Sequence, residues 1–498
     1  MNSATLKQFG FVFFGMFVLD VLFSSSLRAD IVLPKIFTDH MVLQQNSNVR
    51  ISGTAEPAQK LLVKFASKEM KATADDKGAW AVMMPTPAAG GPYELEVVAE
   101  AGQPKIVFSD ILVGEVWLCA GHNMELPVSS SLNAKTEIEL SKNFPKIRLF
   151  KVDHSASVVP LADFAKVDPW RICSPDAVKD FSATAYFFGR ELSKGLEENV
   201  PIGLIDISWD WAPAESWCSR EAMDKVESLA PLLRHWDESD KPPTDKKRPG
   251  NLFNGMVAPM AGFPVRGVTW YQGEANHGRG HQYATLLPTL IGDWRKTLGN
   301  PELPFYFVQL APYRYKGKST DGLAELWDAQ FKTVKTVPHT AMVVTTDIGD
   351  LEEIYPKNKQ EVGRRLSLAA LSKVYAKKRK NRDKKLIASG PLFESMSTNK
   401  NRIRLLFAHA KGLRVRNQGD PPNCFLICGK DKTFFPATAK IDGEAIEVSS
   451  PKVTDPIAVR YCWNDSVQPN LVNQAGLPAS PFRTDDFPLE SVGQDIGF

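Results

Sequence analysis

Four short segments of this 498-residue chain concentrate side chains able to move protons or hold polar groups. They read Gly121-His122-Asn123-Met124-Glu125, then Ser208-Trp209-Asp210-Trp211-Ala212-Pro213-Ala214-Glu215, then Trp270-Tyr271-Gln272-Gly273-Glu274-Ala275-Asn276, then Asp350-Leu351-Glu352-Glu353-Ile354-Tyr355-Pro356. An imidazole, several carboxylates, a carboxamide and a phenol are the groups that general acid–base chemistry draws on. Paired carboxylates hydrolyse glycosides at separations of roughly 5.5 or 6.5–9.5 Å. His122, Asp210, Glu274 and Glu353 therefore form one candidate acid–base set. Ser129, Ser130 and Ser208 are candidate nucleophiles of a second kind.

The elements around these segments alternate in type. Ile111 to Ala120, Pro201 to Trp209, Arg266 to Tyr271, Pro304 to Pro312 and Thr340 to Ile348 are apolar runs, as expected for strands buried on both faces of a parallel sheet. Between them, Phe188, Leu192 and Leu196 share one helical face. So do Tyr283, Leu287, Leu290 and Trp294, and likewise Val362, Leu366 and Ala369. Strand–helix alternation predicts a three-layer α/β fold whose ligands sit at the carboxyl ends of the strands, where the four segments lie.

Both flanks read as β structure. Before the α/β region, Tyr93, Leu95 and Val97 alternate with Glu94 and Glu96, and Asp75-Asp76-Lys77-Gly78 is a turn cluster, as in a small β-sandwich. After it, Ile403, Leu405 and Phe407 alternate along a strand, and Asp442-Gly443 marks a hairpin. The predicted order is a signal at 1–29, a β domain at 30–105, an α/β domain at 106–385 and a β domain at 386–498.

Met1 to Gln8 is polar, Phe9 to Leu19 apolar, and Ser24-Ser25-Ser26-Leu27-Arg28-Ala29 small or polar, which is the pattern of a cleaved export signal. The apolar run is short of the ~20 residues of a membrane span, and Asp20 interrupts it. A periplasmic or extracellular location is the expectation. There, disulfides are permitted, but the six cysteines are scattered and their pairing stays open, Cys462 with Cys424 or with Cys428 included.

With 43% hydrophobic residues the chain can bury real cores, which excludes global disorder. Sixty Lys plus Arg against 57 Asp plus Glu leave a net charge of +3, which argues against a nucleic-acid partner. The basic runs Lys246-Lys247-Arg248 and Lys377 to Lys385 read as solvated surface, since no aromatics are interleaved to stack bases. Cys424-x-x-x-Cys428 lacks further ligands at metal spacing and reads as strand packing. No cofactor or metal is expected.

The four ordered motifs resemble those of the sialate O-acetylesterase family, whose α/β domain is of the SGNH-hydrolase type. The resemblance runs from Leu33-Pro34 and Phe37-Thr38-Asp39-His40-Met41 through Gly476-Leu477-Pro478 to Asp485-Asp486. It implies a chain related to enzymes that remove acetyl esters from sugars, with an acetylated sugar or glycan as ligand class. In that family the nucleophile is the Ser of Gly-Gln-Ser-Asn-Met, and the acid and base are the Asp and His of Asp-Ile-His-Pro. The oxyanion donors are the backbone at the Ser, a Gly of Ser-Trp-Gly-Gly-Thr and the Asn of Gly-Glu-Ser-Asn.

This chain departs from the pattern. Gly121-His122-Asn123-Met124 is one residue short, so His122 stands in the Ser slot; deleting three bases across the Gln and Ser codons yields a His codon. Glu353 takes the Asp slot and Tyr355 the His slot, and Asp210 and Trp211 replace the two glycines. Asn276 keeps the oxyanion-hole identity, while Gln272, Glu274 and Trp211 are the implied substrate-binding residues. Trp209, Trp211, Trp270 and Tyr271 fit either a glycan platform or ordinary core. Neither His154 nor His277 follows an acid by two residues on the last strand's loop, so a displaced serine lacks an evident base. The expectation is a secreted homologue without Ser-His-Asp activity; a hydrolase with rebuilt acid–base chemistry or a displaced serine is the alternative.

Overall fold

The computed structural model describes Met1 and residues 30–494, apart from 101, 103, 316–319 and 378–385. The expected export signal at 1–29, Met1 apart, and most of the basic run at 377–385 therefore lie outside the described residues. Among the described residues no helix is long and apolar enough to cross a membrane.

The central sheet has the strand order Thr340–Val344, Phe305–Gln309, Gly267–Trp270, Lys105–Ala120, Ile202–Asp206, Ile147–Val152, Val167–Ile172. All neighbours are parallel except the last pair, which is antiparallel. Each apolar run read from the sequence forms one of these strands. Their residues are buried throughout, since helices cover both faces.

Side-chain parity shows the layering. Trp117 pairs in register with Gly267, whereas Trp270 lies three residues beyond Gly267 and so points to the opposite face. Trp117 packs edge-on against Phe188 of the helix Ala183–Gly195, at 5.0 Å between ring centroids. Trp270 packs against Trp294 of the helix Gly280–Thr297 at 5.7 Å. Gly267 leaves the indole its space: a Cβ there would lie 2.5 Å from Trp117. Helices on both faces of a parallel sheet make the three-layer α/β fold of the SGNH type.

The strand Lys105–Ala120 does double duty. Its first half alternates exposed and half-buried residues and pairs antiparallel with Gly90–Ala99, and its second half is wholly buried in the central sheet. The N-terminal strands thus join the central sheet without a break, whereas the sequence suggested a boundary near residue 105. The remaining N-terminal strands pair as Asn48–Thr54 with Ala79–Pro85, and as Lys60–Phe65 with Lys68–Thr73 and Gly90–Ala99.

Beyond the helix Lys359–Lys373 the chain forms two four-stranded sheets and a two-stranded ladder. Thr438–Asp442 and Ala445–Ser449 form the hairpin expected at Asp442-Gly443, with Gly443 at φ 63°. Asp465 ties this region to the α/β domain: its carboxylate accepts from Leu323 N–H at 2.7 Å and lies 2.6 Å from His277 Nε2.

Candidate active site

All four motifs follow carboxyl ends of central strands, around the strand Lys105–Ala120 where the strand order reverses direction. Gly121 begins the first turn at φ 113°, and a Cβ on it would lie 2.5 Å from Tyr271 O. Asn123 N–H donates to Tyr271 O at 3.0 Å, locking this turn to the third motif. The turn delivers His122 into the space between the motifs.

His122 is completely enclosed, with 0% of its surface exposed. Its Nε2 lies 2.6 Å from Asp210 Oδ1 and 2.9 Å from the Tyr355 hydroxyl. The same hydroxyl donates to Asp210 Oδ1 at 2.5 Å, which closes a triangle. On the other side, Nδ1 faces Glu274 Oε2 at 3.5 Å, and neither atom has a hydrogen-bond partner of its own. The Trp211 indole covers the imidazole with ring centroids 5.1 Å apart. Trp211 is itself 46% exposed and holds the left-handed backbone, φ 52°, that a glycine adopts freely.

The electrostatics suit a closed cluster. Burial pushes the Asp210 carboxyl up, but hydrogen bonds from His122 and Tyr355 outweigh it and hold the group below the ordinary carboxylate range. Burial pushes the Tyr355 phenol far above its ordinary value, and the adjoining Asp210 carboxylate pushes the same way. A phenol so held donates its proton and does not accept one at neutral pH. Glu353, in the acid slot, accepts from Tyr355 N–H at 3.2 Å and thereby shapes its own loop; it makes no contact with His122.

A second layer lies beneath, unremarked in the sequence reading. Asn123 Nδ2 donates to Glu274 Oε1 at 2.5 Å, and the fully buried Lys359 donates to Asn123 Oδ1. Lys359 opens the helix Lys359–Lys373 behind its Asn358 cap, and its ammonium sits 4.6 Å from the Tyr271 ring centroid. Burial pulls the amine down to about 7, against the attraction of Glu274 and Glu353. The signal available was a lysine three residues past the motif at a helix start, which on sequence alone is indistinguishable from a surface lysine.

Lys359 makes stability depend on pH. Its folded value of about 7 is below the ordinary 10.5, so between these pH values the unfolded chain binds the extra proton. Stability from this group therefore rises with pH through that window, and below about 7 the full cost of burying the cation applies. Relative to Lys359→Met, the wild type should gain about 2–3 kcal/mol between pH 6 and pH 9. Urea unfolding of both proteins at the two pH values checks it, and a constant difference would refute it.

Several assignments made on sequence need correction. Asn276, expected as an oxyanion-hole donor, has its carboxamide engaged within the protein: its Nδ2 donates to Glu215 Oε2 at 2.9 Å, and its Oδ1 accepts from Ala214 N–H and Gln272 Nε2. Gln272 is fully buried, donating also to Ala212 O and accepting from the Tyr283 hydroxyl at 3.1 Å. Glu274 is buried in the His122–Asn123 cluster. Trp270 and Tyr271 are core, which reduces the aromatic surface at the mouth to Trp209 and Trp211. The resemblance implies substrate contact for Gln272 and Glu274, whereas partners on neighbouring elements draw both side chains inward.

The rim completes the picture. Asp210 N–H donates to the Glu125 carboxylate, whose other oxygen lies 2.8 Å from His154 Nε2. The Trp209 ring stacks on His154 at 4.3 Å, and Lys246 Nζ lies 5.3 Å from the Trp209 centroid. Ser208 is buried next to Asp206, whose carboxylate accepts from its N–H at 3.0 Å. Among the described residues no hydrogen bond joins Ser129, Ser130 or Ser208 to a histidine.

The model of carbohydrate esterases described as sialic acid-specific acetylesterases matches residues 175–372. The sialate O-acetylesterase of Pongo abelii is 30% identical over 441 residues, 81% of each chain. The chain belongs to the sialate O-acetylesterase family. The human family member is 28% identical over 498 residues and covers 92% of each chain. A carbohydrate acetylesterase from Xanthomonas citri has the same fold, with a TM-score of 0.82 at 34% identity over 92% of this chain and 100% of that one. The three residues that the sequence reading sets in the Ser, His and first Gly slots, His122, Tyr355 and Asp210, are the three corners of one closed triangle.

Proposed function

We propose that this chain is an exported member of the sialate O-acetylesterase family that binds acetylated sugars without hydrolysing them through a serine nucleophile. The observation that carries the reading is the enclosure of His122 in the nucleophile slot, with Nε2 on Asp210 and Tyr355 and Nδ1 on Glu274. No hydroxyl of nucleophilic strength is present in that cluster. The one hydroxyl, that of Tyr355, is held protonated by burial and by Asp210. The carboxylate of Asp210 stands at an oxyanion-hole slot, where it would repel the charge that develops in acyl transfer.

Ligand contact falls to the mouth. Trp211 exposes 46% of its surface over the cluster. Trp209, His154, Glu125 and Lys246 adjoin it through the stacking and hydrogen bonds of the second motif. An aromatic face beside hydrogen-bonding polar groups suits the apolar ring face and the ester carbonyl of an acetylated sugar. Calorimetry with O-acetylated sialic acid and acetylated hexoses, combined with an acetate-release assay, tests both halves. Binding heat without acetate release is expected, with affinity falling about tenfold in Trp211→Ala. Acetate release at catalytic rates would overturn the first half, and absence of heat with every acetylated sugar the second.

A further inference from the structure

Two cysteines of the C-terminal region face each other across a sheet. Phe425–Cys428 pairs antiparallel with Ala458–Tyr461, with Phe425 opposite Tyr461. One step outward, this register sets Cys424 opposite Cys462, and Cys462 N–H donates to Cys424 O at 2.9 Å. Both residues take left-handed backbone, at φ 64° and 56°. We propose that Cys424 and Cys462 are an oxidisable pair that closes to a disulfide when the protein meets a small-molecule disulfide such as oxidised glutathione.

The two thiols suit the two roles the reaction needs. Cys424 is half-buried and lines a cleft of about 460 Å³ together with Pro422, Phe425 and Trp463, so a small reagent reaches it. The neighbouring Cys462 thiol holds the Cys424 thiol below the ordinary value, which favours the attacking thiolate. The other five cysteines are buried, Cys462 among them, so Cys424 is the thiol that a reagent meets first. Burial pushes the thiols of Cys119 and Cys173 up to about 12 and that of Cys428 up to about 11. In the first step the Cys424 thiolate attacks one sulfur of oxidised glutathione, forming a mixed disulfide and releasing one glutathione thiolate. Cys462 then loses its proton to solvent and attacks Cys424 Sγ, forming the protein disulfide and releasing the second glutathione. The protein loses two protons and two electrons, and the reagent takes both electrons.

The bond would lie next to the segment that reaches the α/β domain. Cys462 is followed by Trp463, Asn464 and Asp465, and Asp465 holds His277 at 2.6 Å, directly after Asn276. A covalent link at Cys462 therefore anchors the chain that braces the Gln272–Asn276 motif. The inference is independent of export and of the reading of the catalytic slots.

The test uses the full chain, incubated with oxidised glutathione, denatured, alkylated and mapped by peptide mass spectrometry. The expected result is the loss of two of the six thiols, one Cys424–Cys462 cross-linked peptide, and a thermal midpoint raised by several degrees that dithiothreitol reverses. Cys462→Ser should trap a glutathione adduct on Cys424, Cys424→Ser should give neither adduct nor cross-link, and Cys428→Ser should behave as wild type. Six alkylated thiols after oxidation, a link through Cys428, or an unresolved glutathione adduct in the wild type would each overturn the proposal.

Discussion

His122→Ser should leave acetyl-ester hydrolysis at the buffer rate, although it places a hydroxyl in the slot where relatives carry their nucleophile. A nucleophilic serine works through a base that takes its proton and an acid that orients the base. On the proposed reading Tyr355 stands in the base slot, and burial and Asp210 hold its phenol protonated. Losing nucleophile or base costs on the order of 10⁶ in kcat, about 8 kcal/mol of barrier, and the two losses do not add because the groups act as a unit. On the same proposed reading the loop is one residue short, so a serine at 122 does not recover the family's reach. Recovery is expected only when Gln-Ser replaces His122 together with Tyr355→His, Asp210→Gly and Trp211→Gly. Initial rates of acetate release from an acetylated sugar distinguish the two variants. Catalytic turnover by His122→Ser alone would show that a base other than residue 355 serves the site.

Glu274→Ala should have the largest effect on stability, a loss of about 3–5 kcal/mol. Glu274 is nearly buried, accepts from Asn123 at 2.5 Å, faces His122 Nδ1 at 3.5 Å and attracts the buried Lys359. Its removal leaves a buried ammonium and a buried carboxamide without the carboxylate that offsets them. Adding Lys359→Met should restore part of the loss, with a coupling of about 1–3 kcal/mol because the two groups share one network. Urea unfolding of the wild type, both single variants and the double variant measures that coupling. Strict additivity would mean that the two charges do not sense each other.

Much of the scaffold is legible in the sequence because burial leaves a periodic trace. Runs such as Pro304 to Pro312 must be apolar when helices cover both faces of their strand, and the 3.6-residue spacing of Tyr283, Leu287, Leu290 and Trp294 places them on one face. The motifs at the strand ends are legible as positions, and His122, Asp210 and Tyr355 do converge. Side-chain direction within those loops is not legible. Nothing in Gln272-Gly273-Glu274-Ala275-Asn276 says that its three polar side chains turn inward, since the partners Glu215, Ala212, Asn123 and Tyr283 are far off in sequence. Lys359 was missed for the same reason: a buried lysine and a surface lysine have the same sequence, and only the Asn123 carbonyl and the Tyr271 ring around its ammonium tell them apart. The expected boundary at residue 105 falls at the start of the strand Lys105–Ala120, whose alternating first half pairs with the N-terminal strands and whose continuous second half lies in the central sheet.

The proposed loss of serine chemistry is tested most directly by intact-mass spectrometry of the purified wild type after exposure to a fluorophosphonate probe, which modifies activated serines irrespective of substrate. The unmodified mass is the predicted result, with a serine-active relative labelled in parallel. A stoichiometric adduct mapped to Ser129, Ser130, Ser208 or any other serine would contradict it.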